Sequence, residues 1–395
     1  MLAGTSHVLA VDENGKVYAW GLGTNGQLGN GGVVTSNIPV VASSITNATK
    51  VAAGGTHSAA IDADGNVWGF GDASAGRIGN GTTATTASNI STPTKVMTAT
   101  TTKKAVQIVA SSANTYILTD EIGTSYVYGT GATSSGQVGS GSTSSTAIGT
   151  FTKVNNESNS TSGLTGVKEI YAGGSSAAAL KTDGTVVAWG ANGTGRLGVG
   201  DSSNKSYPNV VKTEANTVLT NVQHVSIGTT YSIFADNNGN IYGAGTNASY
   251  QLGNGTTDTT IYATLSNKLE NIISLNSPQN STFNVAITNN GDIYGWGLND
   301  NYQLGTKDII TRKVPTKVFD KYLKLESTTI RIEETKSANI QVLTTLIDFN
   351  VYQDEYTTGR ITYTSLTEDI VSVEPSRKNN RIKTRRRIYK SRRHR

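Results

Sequence analysis

Six times in its first 310 residues the chain returns to one pattern. The copies are "DENGKVYAWGLGTNGQLGNG" from Asp12, "DADGNVWGFGDASAGRIGNG" from Asp62, "EIGTSYVYGTGATSSGQVGSG" from Glu121, "KTDGTVVAWGANGTGRLGVG" from Lys181, "DNNGNIYGAGTNASYQLGNG" from Asp236 and "TNNGDIYGWGLNDNYQLGTK" from Thr288. One glycine holds the phase: Gly21, Gly71, Gly131, Gly190, Gly245 and Gly297, at steps of 50, 60, 59, 55 and 52 residues. A period of this size means an array of equivalent units, each too small to bury its own apolar surface. Whatever else the chain does, its fold must stack six similar modules.

Each module reads as strand and turn. Short apolar runs such as "VLAV", "AAI", "AAAL", "SIFA" and "NVAI" have strand length. Asn14-Gly15, Asp64-Gly65, Asp183-Gly184, Asn238-Gly239 and Asn290-Gly291 follow them. Asn-Gly and Asp-Gly supply the positive φ of a tight hairpin turn. Strands of β-branched and aromatic residues come next, such as "KVYAWG" and "NIYGAG". Helix signals are nearly absent. Units of strands alone, repeated in tandem, bury both faces and protect their edges when they close around an axis. The expected fold is an all-β propeller, either six-bladed or a truncated seven-bladed ring, because the chain begins inside a unit at "AGTSH".

The first copy contains "GLGTNG", Gly21 to Gly26, which matches the dinucleotide fingerprint Gly-x-Gly-x-x-Gly. That fingerprint requires a helix after it and a βαβ unit around it. Here "QLGNGG" follows, and the other five copies break the spacing. The match is a by-product of the repeat, and no cofactor is expected.

These residues resemble the regulator of chromosome condensation repeat family, whose unit pairs a Trp-Gly strand and a Gln-Leu-Gly turn with an Ala-Gly-x-x-His strand. The matches include Gly15, Trp20, Gly21, Gln27, Leu28 and Gly29; Gly184, Trp189, Gly190, Asn192, Leu197 and Gly198; and Gly291, Trp296, Gly297, Asn299, Gln303, Leu304 and Gly305. "AGTSHVLAV" (Ala3 to Val11) and "AGGTHSAAI" (Ala53 to Ile61) match the other half. The resemblance covers about 1–320. It departs at Thr130 and Ala244, where tryptophan is expected, and at Tyr116, Ser176 and Tyr231, where histidine is expected. The resemblance implies a propeller, with seven blades in its best-known members.

Residues 321–376 resemble something else. "TTIRIEETKSANIQVLTT" and "GRITYTSLTEDIVSVE" look like the first strands of a bacterial group-2 immunoglobulin-like domain, with Tyr363, Ser365 and Val371 or Val373 in its "Y-x-S-x-x-x-x-V-x-V" element. Such modules imply a bacterial secreted or cell-surface protein. The final stretch, 377–395, is a basic tail expected to be disordered. It holds 11 of the 33 lysines and arginines and no acid, so the remaining chain carries 22 basic against 28 acidic residues, a net −6. AT-rich codons read one base later could spell a continuation of the Ig-like strand. The tail is therefore expected to be a frameshift product, and nucleic-acid binding through it is disfavoured.

Chemistry-bearing motifs are scarce. No cysteine exists, which removes disulfides, zinc-thiolate sites and cysteine nucleophiles. No apolar run is long enough to span a bilayer. His7 and His57 share one repeat position, as packing residues do; His224 is isolated and His394 lies in the tail. "DADGN" (Asp62 to Asn66) has the wrong spacing for a calcium loop and the right one for a turn. No catalytic or metal residue is assigned. A binding surface remains. Tyr250 and Tyr302 fill one position where other copies have Gly26, Gly76, Gly136 and Gly195. They are candidate partner-binding rim residues, aromatics being good interface anchors, or else they pack between blades. The expected function is a non-enzymatic protein-binding module of an exported bacterial protein, with no cofactor and a protein partner of unknown identity. The alternatives are nucleotide exchange on a small GTPase, which the acidic body disfavours, and inhibition of a secreted enzyme such as a β-lactamase. A cytoplasmic location is the alternative to export.

Overall fold

The computed structural model describes residues 1–318 except 85–87, 157–161 and 279, and beyond them only the strands Lys324–Leu325, Asn339–Leu343, Val371–Pro375 and Arg381–Arg386. It divides into two units: Met1–Leu304 with Ile309–Thr316, and Gly305–Asp308 with Lys317–Arg395.

The first unit is a six-bladed β-propeller. Each blade is a four-stranded antiparallel sheet in simple chain order. Blade 1 comprises Leu2–Ala3, His7–Val11, Val17–Gly21 and Ser36–Val41; blade 2 Ala48–Ala53, His57–Asp62, Val67–Asp72 and Asn89–Met97. Blade 3 comprises Lys104–Ala110, Asn114–Glu121, Thr124–Gly131 and Ile148–Lys153; blade 4 Val167–Gly173, Ser176–Lys181, Val186–Gly190 and Lys205–Val210. Blade 5 comprises Val222–Ile227, Tyr231–Asp236, Asn240–Gly245 and Thr260–Lys268; blade 6 Ile272–Asn276, Phe283–Thr288, Ile293–Gly297 and Arg312–Lys317.

The phase glycine has a physical cause. All six copies adopt a φ between 97° and 114°, a region costly for any residue with a Cβ. A Cβ there would also lie 2.2–2.7 Å from a backbone oxygen: Ser6, Thr56, Ala113, Ser175, Thr230 or Thr282. The hairpin asparagines and aspartates act as anticipated. Gly15, Gly65, Gly184, Gly239 and Gly291 all have φ between 76° and 89°. The Asp62 carboxylate accepts from Asp64 N, Asn66 N, Asn66 Nδ2 and Trp68 Nε1 at 2.8–3.1 Å, so its lone pairs serve the turn.

The core lies between blades. Five buried apolar clusters join blade 1 to 2, 2 to 3, 3 to 4, 4 to 5 and 5 to 6. In blades 2, 4 and 6 the aromatic ahead of the phase glycine enters a slot on the preceding blade. Trp189 lies where a Cβ on Gly139 would sit, and its Nε1 donates to the Gln137 carbonyl at 2.9 Å. Trp296 does the same at Gly253 and the Gln251 carbonyl, at 3.1 Å. Phe70 lies over Gly29. The departures from the family pattern keep this logic. Ala244 faces Gly198, and Thr130 donates to the Gly76 carbonyl at 2.8 Å while Phe151 takes the Gly79 slot. Tyr116 and Tyr231, at the histidine position, donate to the carbonyls of Gln137 and Phe283 at 2.6 and 2.8 Å.

In the second unit, Lys324–Leu325, Asn339–Leu343, Arg381–Arg386 and Val371–Pro375 pair in that order as a four-stranded sheet. The sequence places an Ig-like module and a disordered tail here. Most of the Ig-like signature and residues 387–395 lie outside the described residues, while Arg381–Arg386 is a paired strand.

Candidate interaction surface

Most side chains of the repeat motif are consumed by the scaffold. Asn192, Asn247 and Asn299 are fully buried, and each Oδ1 accepts the backbone N–H of the leucine five residues on, at 2.9–3.0 Å. The Gln side chains of the turn do likewise. Gln27, Gln137, Gln251 and Gln303 accept from the backbone two residues earlier at 2.7–2.8 Å. These polar groups hold loops.

Two pairs have the outward form of a base beside a nucleophile. His7 Nε2 lies 2.9 Å from Ser58 Oγ, and His57 Nε2 lies 3.0 Å from Thr115 Oγ1. Their chemistry is the reverse. Ser58 gives its one proton to the Gln27 carbonyl at 2.8 Å, and Thr115 gives its own to the Arg77 carbonyl at 2.7 Å. Each imidazole Nε2 must therefore donate, so neither can take a proton from the hydroxyl. Burial lowers His7 to about 4. Burial, helped by the Arg77 guanidinium, lowers His57 to about 3. Both rings are neutral structural links between blades, seated where Gly4 and Gly54 leave room. His224 is a third link, with Nε2 2.9 Å from the Ile272 carbonyl of the next blade. Among the described residues no group of three or more His, Asp or Glu could hold a metal ion.

Tyr250 and Tyr302 lie one blade apart in equivalent turns, at φ of 60° and 59°. Their glycine counterparts show what the position does. A Cβ on Gly26, Gly76, Gly136 or Gly195 would lie 2.3–2.7 Å from the outermost strand of the next blade. Tyr250 makes that same contact, with Lys313 Nζ of blade 6 at 5.3 Å from its ring centroid. Tyr302, by contrast, is 55% exposed.

A concave surface of another kind lies at the innermost strands. Blades 1 to 4 line an open cleft of about 760 Å³ that includes Leu2, Lys50, Val106, Lys168, Glu169 and Tyr171. Side chains of one inner strand cap the backbone edge of the next. Lys50 Nζ donates to the Val106 carbonyl, and Gln107 exchanges two bonds with Ile170, at 2.9 and 3.0 Å. Tyr171 donates to Glu169 at 2.6 Å; burial, then the Glu169 carboxylate, raises its pKa. The cleft combines apolar area with two lysines, a carboxylate and a phenol, and no activated nucleophile. These residues carry no motif in sequence, because inner strands vary from copy to copy.

Repeated four-stranded sheets, slots and turns define a protein of the propeller class whose blades interlock through Trp-Gly strands. The RCC1-like domain family model matches residues 1–334, so the chain belongs to that family. The E3 ubiquitin-protein ligase HERC2 of Mus musculus is 30% identical over 139 residues, 35% of this chain and 3% of its own length. The ultraviolet-B receptor UVR8 of Arabidopsis thaliana is 27% identical over 152 residues, 38% of this chain and 34% of its own. The chain thus spans about a third or less of these relatives. Among solved structures, Prp20p of Saccharomyces cerevisiae superimposes with a TM-score of 0.63 at 22% identity, covering 80% of this chain and 76% of its own. Human WBSCR16 gives 0.67 at 19%, covering 80% of each. These likenesses show the fold. The chain is an RCC1-like propeller, a protein-interaction module.

Proposed function

We propose that the protein is a non-enzymatic binding module that recognises a protein partner at the inner-strand cleft. The observation that carries this reading is the use of the repeat's polar groups. Histidines, asparagines and glutamines are spent on the scaffold, whereas Lys50, Lys168, Glu169 and Tyr171 share an open concave surface with apolar side chains. A mixed surface of that kind suits a protein loop. The published description of Prp20p names binding to Gsp1p and histones, which supports the use of this fold for protein contacts.

A photo-crosslinking residue at Val106, in the cleft, is compared with one at Ile122, 81% exposed on a hairpin of blade 3. We expect one partner captured at position 106 and not at 122, and capture lost in a Lys50→Glu, Lys168→Glu variant. Equal capture at both positions, or capture unaffected by the charge reversals, rejects the cleft. Turnover of a substrate panel abolished by one point mutation rejects the non-enzymatic reading. The same proposal places the protein outside a bacterial cell, supported by the Ig-like resemblance of residues 321–376. Fractionation of the source cells tests it, and recovery from the cytoplasm alone removes it.

A further inference from the structure

Arginine replaces glutamine in two of the six repeat turns, as Arg77 in blade 2 and Arg196 in blade 4. Arg77 has an acid in its own blade: its Nη1 lies 3.0 Å from Asp72 Oδ2. The same carboxylate accepts from Thr56 Oγ1 at 3.1 Å and from the Ser74 N–H at 2.8 Å, and Asp72 is only 7% exposed. Blade 4 repeats the donors without the acid. Asp72 N donates to the Thr56 carbonyl at 3.0 Å, and Ala191 N to the Ser175 carbonyl at 2.9 Å. Ala191 is therefore the counterpart of Asp72, and Ser175 that of Thr56. Gly193 and Arg196 stand where Ser74 and Arg77 do. Among the described residues Arg196 has no ion pair. Its Nε and Nη1 reach neutral acceptors, Thr194 Oγ1 at 3.3 Å and the Thr229 carbonyl of blade 5, and burial lowers its pKa. Among the described residues Arg196 Nη2, Ser175 Oγ and the Gly193 N–H make no hydrogen bond. Ala191 and Ser175 are half-buried, and a Cβ on the exposed Gly193 meets nothing within 4 Å.

We propose that Arg196, Ser175 and the Gly193 N–H form a receptor for one carboxylate, supplied by an aspartate or glutamate side chain of a protein partner. Blade 2 states the chemistry, since the same three kinds of donor there hold the Asp72 carboxylate. Charge complementarity argues for an anion: a half-buried guanidinium with neutral acceptors gains more from a charged one. The planar fork of arginine matches a carboxylate. One guanidinium balances one carboxylate, whereas a phosphate carries close to two charges. Lys205, on the strand after the turn, is committed to Asp201 at 2.7 Å and does not supply the second. Alanine at position 191 leaves the partner's acid the place that Asp72 fills in blade 2. None of these residues lines the inner-strand cleft, so the two proposals stand or fall separately.

Two substitutions borrowed from the chain's own repeats test this. Ala191→Asp copies blade 2 and supplies an internal acid. Arg196→Gln installs the residue of the other four turns, Gln27, Gln137, Gln251 and Gln303. The probe is the peptide Gly-Asp-Gly with both ends blocked, titrated into the isotope-labelled full chain at fixed ionic strength while the Gly193 amide is followed by NMR. Blocked Gly-Asn-Gly is the neutral control. We expect a saturable shift with the acidic peptide, none with the neutral one, and binding about tenfold weaker in each variant. No shift, an equal shift with Gly-Asn-Gly, or undiminished binding in whichever variant folds overturns the proposal. Tighter binding of inorganic phosphate than of the peptide overturns the assignment to a carboxylate. Binding of acetate with exclusion of the peptide overturns the assignment to a protein side chain.

Discussion

Blade 4 and blade 1 have the same strands, the same turns and nearly the same motif, yet their side chains experience different surroundings. The strand Ser176–Lys181 is buried at five of its six positions, whereas in His7–Val11 only His7 and Leu9 are buried. Blade 6 mirrors blade 1: Phe283–Thr288 alternates half-buried and buried side chains along its length. Propensity and pattern built all three hairpins. Neighbours decided what each hairpin hides. In an array, a residue's energetic weight is set by its position along the array as much as by its type.

The comparison can be broken most forcefully at the tryptophans. Trp189→Ala empties a fully buried slot and breaks the bond to Gln137. It should cost about 3–5 kcal/mol in urea denaturation, whereas Trp20→Ala, half-buried, should cost well under half of that. Equal costs would mean that blade 1 is as enclosed as blade 4.

Acid probes the joins next. His7 and His57 have folded values near 4 and 3 against 6.5 when unfolded. The unfolded chain therefore binds more protons, and stability is lost as pH falls from about 6.5 toward 4 for His7 and toward 3 for His57. Across its window His7 should remove about 3–4 kcal/mol and His57 about 5 kcal/mol, at ~1.4 kcal/mol per pH unit. His57→Gln should remove roughly half of the slope of stability against pH in that range. An unchanged slope would show that these rings protonate freely in the folded state.

Glycines give a sharper but smaller contrast. Gly253 and Gly255 both have positive φ, at 74° and 81°. A Cβ on Gly253 would lie 2.9 Å from the Trp296 ring, while one on Gly255 meets nothing within 4 Å. Gly255→Ala should cost ~1 kcal/mol for backbone strain alone, and Gly253→Ala about 1–3 kcal/mol more for overpacking. The smallest effect belongs to the tyrosines. Tyr302→Gly should stabilise by up to ~1 kcal/mol, because it relieves a left-handed backbone and loses no contact with a following blade. Tyr250→Gly forfeits the contact with Lys313 and should gain less. A larger gain at Tyr250 would reverse the assignment of Tyr250 to an inter-blade contact.

The repeat period, the Asn-Gly and Asp-Gly turns and the phase glycine made the strands and the propeller legible from the residues alone. They were legible because their causes are local: φ, strand alternation and turn chemistry act within a few residues. The substitutions at Thr130, Ala244, Tyr116 and Tyr231 looked like departures in one dimension. In three they are alternative fillings of the same slots, since the volume to be filled belongs to the preceding or following blade. The roles of Tyr250 and Tyr302 were undecidable in sequence for the same reason. Identical turns present them to different neighbours, one to Lys313 and one to solvent. The cleft containing Lys50, Lys168 and Glu169 was invisible because its residues lie about 120 positions apart and meet only when inner strands converge on the axis. Sequence determined what each blade is. Tertiary structure decided which faces are spent on the next blade and which remain available, because burial is a property of the pair and not of the unit.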